Sequence, residues 1–115
     1  MITYFSMEGF LSVKKKVELY FVPKPHTRIT NTRFEDNFIH TPKYKLMKAV
    51  VLFGMNASGK SNVLLGMEHL ISMINRGLNL GAVDDMHRNL INFDCKTVAF
   101  EIGLYDVKSD QDYVY

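Results

Sequence analysis

The sequence predicts an α/β fold on three observations: an unbroken apolar run at residues 49–53, a glycine-bearing loop at residues 54–61, and apolar positions three and four apart just after it. The run Ala-Val-Val-Leu-Phe lacks the alternation of a half-wet strand. The strand expected over residues 46–53 therefore belongs inside a parallel sheet covered by helices on both faces. Val63, Met67, Leu70, Ile71 and Ile74 fall on one stripe of a helix. Strand, glycine loop and helix follow in that order.

Upstream, Ile2, Tyr4 and Phe5 precede a break at Gly9, and Val17, Leu19 and Phe21 then alternate with Lys16, Glu18 and Tyr20. This predicts two paired strands, a β-meander that opens the chain. Residues 23–45 contain all three prolines (Pro23, Pro25, Pro42) and no sustained period, and are expected to form a long surface loop with at most a short helix. The helix after the glycine loop should stop near Arg76 and Gly77, where a cation suits the helix end and glycine tolerates a left-handed cap. Residues 77–94 read as irregular.

Further on, Val98, Phe100, Ile102 and Leu104 alternate with Thr97, Ala99, Glu101 and Gly103, which predicts a strand over residues 97–107 with one buried face. A polar turn and a returning strand from Asp112 to Tyr115 complete an antiparallel hairpin. A strand with no room to finish makes residues 1–115 the expected amino-terminal part of a larger, incomplete domain.

Of the 115 residues, 47% are hydrophobic and 23% charged, which excludes a disordered or fibrous chain. Fourteen Lys and Arg against twelve Asp and Glu leave a charge of +2, too mild to argue for nucleic acid, which stays a possible partner without support. The single Cys95 excludes an internal disulfide, and His26, His40, His69 and His87 show no metal-ligand spacing. No apolar run approaches the roughly 20 residues of a membrane helix. Glu8 interrupts the first apolar stretch, and Lys14, Lys15 and Lys16 follow it, the reverse of a secretory signal. A cytoplasmic chain without a membrane partner is expected.

Residues 54–61, Gly-Met-Asn-Ala-Ser-Gly-Lys-Ser, satisfy G-x-x-x-x-G-K-[ST], the phosphate-binding loop or Walker A motif. A triphosphate presents many oxygens with concentrated charge, so its site needs several backbone N–H groups in a concave nest. Gly54 and Gly59 permit the curvature and the close approach of the main chain. The following helix adds its positive dipole end. Lys60 is expected to reach the β- and γ-phosphates, and the Ser61 hydroxyl to ligate Mg²⁺. A chance match in a chain of this length has a probability of well under about 1%. The alternative is a glycine-rich turn with an incidental lysine.

Asn56-Ala57-Ser58-Gly59-Lys60-Ser61-Asn62 resembles the N-x-S-G-K-S-N loop of ABC-type ATPases of the chromosome-maintenance, RecF and OLD-like groups, including AAA-labelled anti-phage ATPases. Met7-Glu8-Gly9-Phe10-Leu11-Ser12 resembles the N/G-F-K/R-S segment with which many of them open. The region from Phe93 to Tyr115 looks like their β-rich insertion after the first helix. The resemblance implies a P-loop NTPase fold, an ABC-ATPase-like amino-terminal lobe, in which Gly54 and Asn56 through Asn62 bind ATP. It implies Lys60 as the catalytic cation, Ser61 as the metal ligand, and paired heads of a homodimer that sandwich ATP and couple its hydrolysis to conformational change. Asn62 reads more simply as a helix-start residue. Leu11 departs from the family's Lys or Arg; Lys14, Lys15 or Lys16 could substitute, although a solvated strand edge suits that run better.

The acidic Walker B pair, Q-loop, signature motif and switch histidine of that family lie downstream of residue 115. This chain alone is therefore expected to hydrolyse ATP poorly. Residues 80–85, with Asp84 and Asp85, look superficially like a Walker B strand, but Gly81 and the closeness to the helix favour an acidic loop. His69, His87, Cys95 and the methionines at 55, 67, 73 and 86 read as packing or surface residues, and Tyr113 and Tyr115 as sheet packing. No guanine-reading Asp-x-x-Gly or Asn-Lys-x-Asp occurs, which places GTP below ATP. The alternative function is a non-catalytic nucleotide-binding or docking module complete as a short chain.

Overall fold

The computed structural model describes residues 1–24, 35–76 and 88–115. Among them are six strands, β1 (Ile2–Glu8), β2 (Val17–Tyr20), β3 (Phe38–His40), β4 (Lys45–Met47), β5 (Ala99–Asp106) and β6 (Gln111–Val114), and one α-helix, α1 (Lys60–Arg76). Four strands form a sheet in the order β2-β1-β5-β6, and β3 pairs with β4 in a separate hairpin. The Met1 ammonium donates to the Tyr105 carbonyl at 2.7 Å, Gly103 packs beside Thr3, and Gly9 lies beside Thr97. The numbers fall along one strand as they rise along the other, so β1 and β5 run antiparallel.

Two compact units divide the chain. The first comprises Met1–Phe5, Leu19–Leu52 and Glu101–Tyr115. Its buried side chains are Phe5, Phe38, Leu46, Ile102 and Tyr105. The β5–β6 hairpin has the register Gly103↔Val114 to Asp106↔Gln111 and turns through Asp110 at φ 54°. The Asp106 carboxylate holds that turn by accepting from the Ser109 hydroxyl at 2.7 Å and the Lys108 N–H at 3.2 Å. The β3–β4 hairpin pairs Phe38 with Met47 and His40 with Lys45. Its turn closes where Thr41 Oγ1 donates to the Tyr44 carbonyl and accepts from the Tyr44 N–H, both at 2.8 Å. Glu35 Oε1 accepts from Lys45 at 2.7 Å and lies 3.0 Å from His40 Nε2.

The second unit comprises Ser6–Glu18 and Phe53–Phe100. It buries Met7, Phe10, Val13, Val63 and Leu70. In α1, Val63, Gly66 and Leu70 share the buried face, and a Cβ on Gly66 would stand 2.4 Å from Met7 Sδ and 3.3 Å from the Phe100 ring. Glycine lets the helix backbone come that close. The rings of Phe10, His69 and Phe100 pack with centroids 5.4 to 6.3 Å apart. His69 thus contributes to packing.

Several expectations meet the structure directly. The pairing of β1 with β2, the helix over residues 60–76, and the β5–β6 hairpin fall where the patterns place them. The strand expected over residues 46–53 does not: β4 stops at Met47, pairs antiparallel with β3, and leaves Val51 66% and Phe53 90% exposed. A run apolar on both faces needs strand neighbours and cover on both faces, and none of the described strands stands beside it. Part of the loop expected at residues 23–45 is the β3–β4 hairpin, preceded by a 3₁₀ turn at Glu35–Asn37. Gly77, the acidic pair Asp84 and Asp85, His26, Met86 and His87 lie outside the described residues.

Candidate phosphate-binding loop

Residues 54–59 lead directly into α1, whose first residue is Lys60. The Ser58 N–H donates to the Met55 carbonyl at 3.2 Å, and the Val63 N–H to the Gly59 carbonyl at 3.1 Å, which starts the helical ladder. Two residues carry the curvature, Ala57 at φ 61° and Gly59 at φ 90°. Left-handed residues in a tight loop are the backbone form from which anion nests are built. A concavity of about 300 Å³ is lined by Ser12, Ala57, Ser58, Gly59, Lys60, Ser61 and Asn62.

The Lys60 ammonium donates to the Gly54 carbonyl at 2.8 Å, the Met55 carbonyl at 2.6 Å and the Ser58 hydroxyl at 3.3 Å. All three acceptors belong to the loop, so the lysine holds the curve closed around its own charge. The contact with Ser58 is the longest and the easiest to exchange for a phosphate oxygen. Gly54 makes room for this arrangement, because a Cβ there would lie 2.8 Å from Ser58 Oγ and 3.7 Å from Lys60 Cδ. Ser61 is exposed on the first turn of the helix, and Asn56 is exposed on the loop.

Asn62 has a role beyond starting the helix. Its Nδ2 donates to Ser12 Oγ at 2.6 Å, across 50 residues of sequence. Ser12 is the site residue that pattern reading misses. It belongs to the segment resembling the family's opening, yet a lone serine in a turn has no period to mark it. The turn from Gly9 to Val13 is closed by mutual hydrogen bonds between Phe10 and Val13 at 3.1 and 2.8 Å. Leu11, at φ 48°, donates its N–H to the Leu90 carbonyl at 2.8 Å, and the Asn92 side chain donates to the Leu11 carbonyl. Gly9 is required here, since a Cβ would meet the Thr97 carbonyl oxygen at 2.2 Å.

The basic run has other partners. Lys14 pairs with Asp94 at 3.0 Å, and that hydrogen bond raises its pKa above the ordinary lysine value. Lys16 pairs with Glu18 at 3.3 Å. Both are exposed and lie in the connection between β1 and β2. Cys95 is half-buried, and its thiol lies 3.9 Å from the Lys14 carbonyl. Among the described residues no group of three or more His, Cys, Asp and Glu could hold a metal ion. A magnesium ion at this loop would depend on the Ser61 hydroxyl, phosphate oxygens and water, the ligand set that Mg²⁺ accepts. Among the described residues no helix is long and apolar enough to cross a membrane. Compared with known proteins, the chain matches no family model, no curated protein and no solved structure.

Proposed function

We propose that the chain binds ATP with magnesium through residues 54–61, as the amino-terminal part of an ABC-like P-loop ATPase. The observation that carries this reading is the Lys60 ammonium held in the curve of a loop that ends at the start of a 17-residue helix. The loop's N–H groups and the helix dipole would hold the polyphosphate, Lys60 would neutralise it, and Ser61 would offer its oxygen to Mg²⁺. Bound magnesium would offset phosphate charge and fix the orientation of the β- and γ-phosphates. In the full ATPase of the resembled type, two such heads close on ATP and convert its turnover into movement. Replacing Lys60 with Ala and titrating fluorescent ATP with Mg²⁺ tests the site. The expected result is an affinity loss of at least about tenfold, since a charge-assisted contact is removed; unchanged affinity removes the reading.

One observation favours a second reading, nucleotide binding without hydrolysis by this chain. No carboxylate is among the described residues that line the concavity. Water attacking a γ-phosphate needs a group to position it. Phosphate release from the purified chain with saturating Mg-ATP tests this second reading: release above the buffer rate that disappears in Lys60→Ala overturns it, and release equal to the buffer rate agrees with it.

A further inference from the structure

We propose that Ser12 is a ligand-binding residue of this site, its hydroxyl donating to a phosphate oxygen at the end of the concavity between Gly59 and Asn62. The inference rests on the nucleotide reading above and adds a donor from outside the phosphate loop. Asn62 Nδ2 donates to Ser12 Oγ at 2.6 Å, which occupies a lone pair and leaves the O–H to donate elsewhere. The hydroxyl stands over the loop: a Cβ on Gly59 would lie 3.3 Å from Ser12 Oγ. The same concavity is lined by Ala57 through Asn62, which bring the Ser58 and Ser61 hydroxyls, the Lys60 side chain and the Asn62 amide to it. The ligand class that supplies acceptors in such a place is a phosphate.

The placement is also rigid. Mutual Phe10 and Val13 hydrogen bonds, the Leu11 N–H on the Leu90 carbonyl and the Asn92 N–H on the Gly9 carbonyl at 2.7 Å hold the turn that carries Ser12. A donor held before the ligand arrives loses little entropy on binding. The ammonium of Lys60 lies against Gly54 and Met55 at the other end of the loop. A polyphosphate is thus held at one end by a cation and at the other by a hydroxyl oriented through Asn62.

The test measures Mg-ATP and Mg-GTP affinity for the full 115-residue chain and for Ser12→Ala, Ser12→Thr and Lys60→Ala, with the melting temperature of each without ligand. Ser12→Ala should weaken both nucleotides by the same factor, about tenfold, because the lost donor meets phosphate and not base. Ser12→Thr should restore binding to within about threefold. The melting temperature should hold, because Ser12 is exposed. Wild-type affinity in Ser12→Ala, with binding lost in Lys60→Ala, overturns the role of Ser12 and keeps the loop. A loss confined to one base, or one that threonine fails to restore, overturns it as well. Failure of the unmodified chain to bind either nucleotide overturns the loop reading and this inference together.

Discussion

Ala57 and Gly59 both have a left-handed backbone, yet only one of them is glycine. A side chain in that region costs about 1–2 kcal/mol, and glycine gives back part of the gain through the freedom of the unfolded chain. Ala57→Gly should therefore raise stability by up to about 1 kcal/mol in thermal denaturation; a lower melting point would show that the loop does not turn there. Gly59→Ala should do the reverse, because its Cβ would have to sit 3.3 Å from Ser12 Oγ at φ 90°. The motif makes Gly59 and Lys60 legible, since their chemistry admits few other residues. It leaves position 57 open, so the strain at Ala57 emerges only from the backbone. Ser12 appears in the sequence only as the end of the Met7–Ser12 segment, and its contact with Asn62, 50 residues away, does not show there.

Elements built from local contacts are the ones that the pattern predicts well. α1 covers the residues of the predicted stripe, and the β5–β6 hairpin follows its alternation and turn residues. Gly66 is where the helix comes closest to Met7, so Gly66→Leu should overpack the interface and cost about 1–3 kcal/mol, read from urea unfolding. The β3–β4 hairpin escapes notice because each strand has three residues and the stretch before it holds prolines. The segment at residues 49–53 misleads because its composition suits a buried parallel strand, and strand pairing is decided by distant neighbours. Phe53→Ser distinguishes the two states: at 90% exposure it should change stability by less than about 0.5 kcal/mol. Loss of a buried phenylalanine would cost several times more.

Charge ties the turn of the first hairpin to β6, where Lys43 and the Tyr44 hydroxyl both donate to Asp112 Oδ2. The hydrogen bond from Lys43 lowers the pKa of Asp112, and the one from Lys45 lowers that of Glu35. A carboxylate depressed in the folded chain stabilises it above its unfolded pKa, and that contribution disappears as pH falls through the folded value. The urea midpoint should therefore drop below the ordinary carboxylate range. Asp112→Asn should make the acid limb shallower. The Tyr44 phenol is raised, first by its bond to Asp112, so its contribution is present at neutral pH and is lost as pH rises through the folded value.

For the molecule as a whole, the described residues form a small α/β chain with a mostly antiparallel sheet and one helix. What the sequence supplied was chemistry at fixed spacing, and this located the loop, the lysine and the helix start. What it could not supply were contacts across long separations: Ser12 on Asn62, Gly9 on Thr97, and β1 beside β5. A charge of +2 gives the whole chain little pull on a polyanion, so the proposed binding of ATP would depend on the loop's local geometry. Amide chemical shifts of the isotopically labelled chain, followed as Mg-ATP is added, report that recognition residue by residue. Saturable shifts should concentrate in Asn56 through Asn62 and at Ser12, and should vanish in Lys60→Ala. Shifts that leave those amides untouched, or that persist unchanged without the lysine, would contradict a phosphate site at this loop.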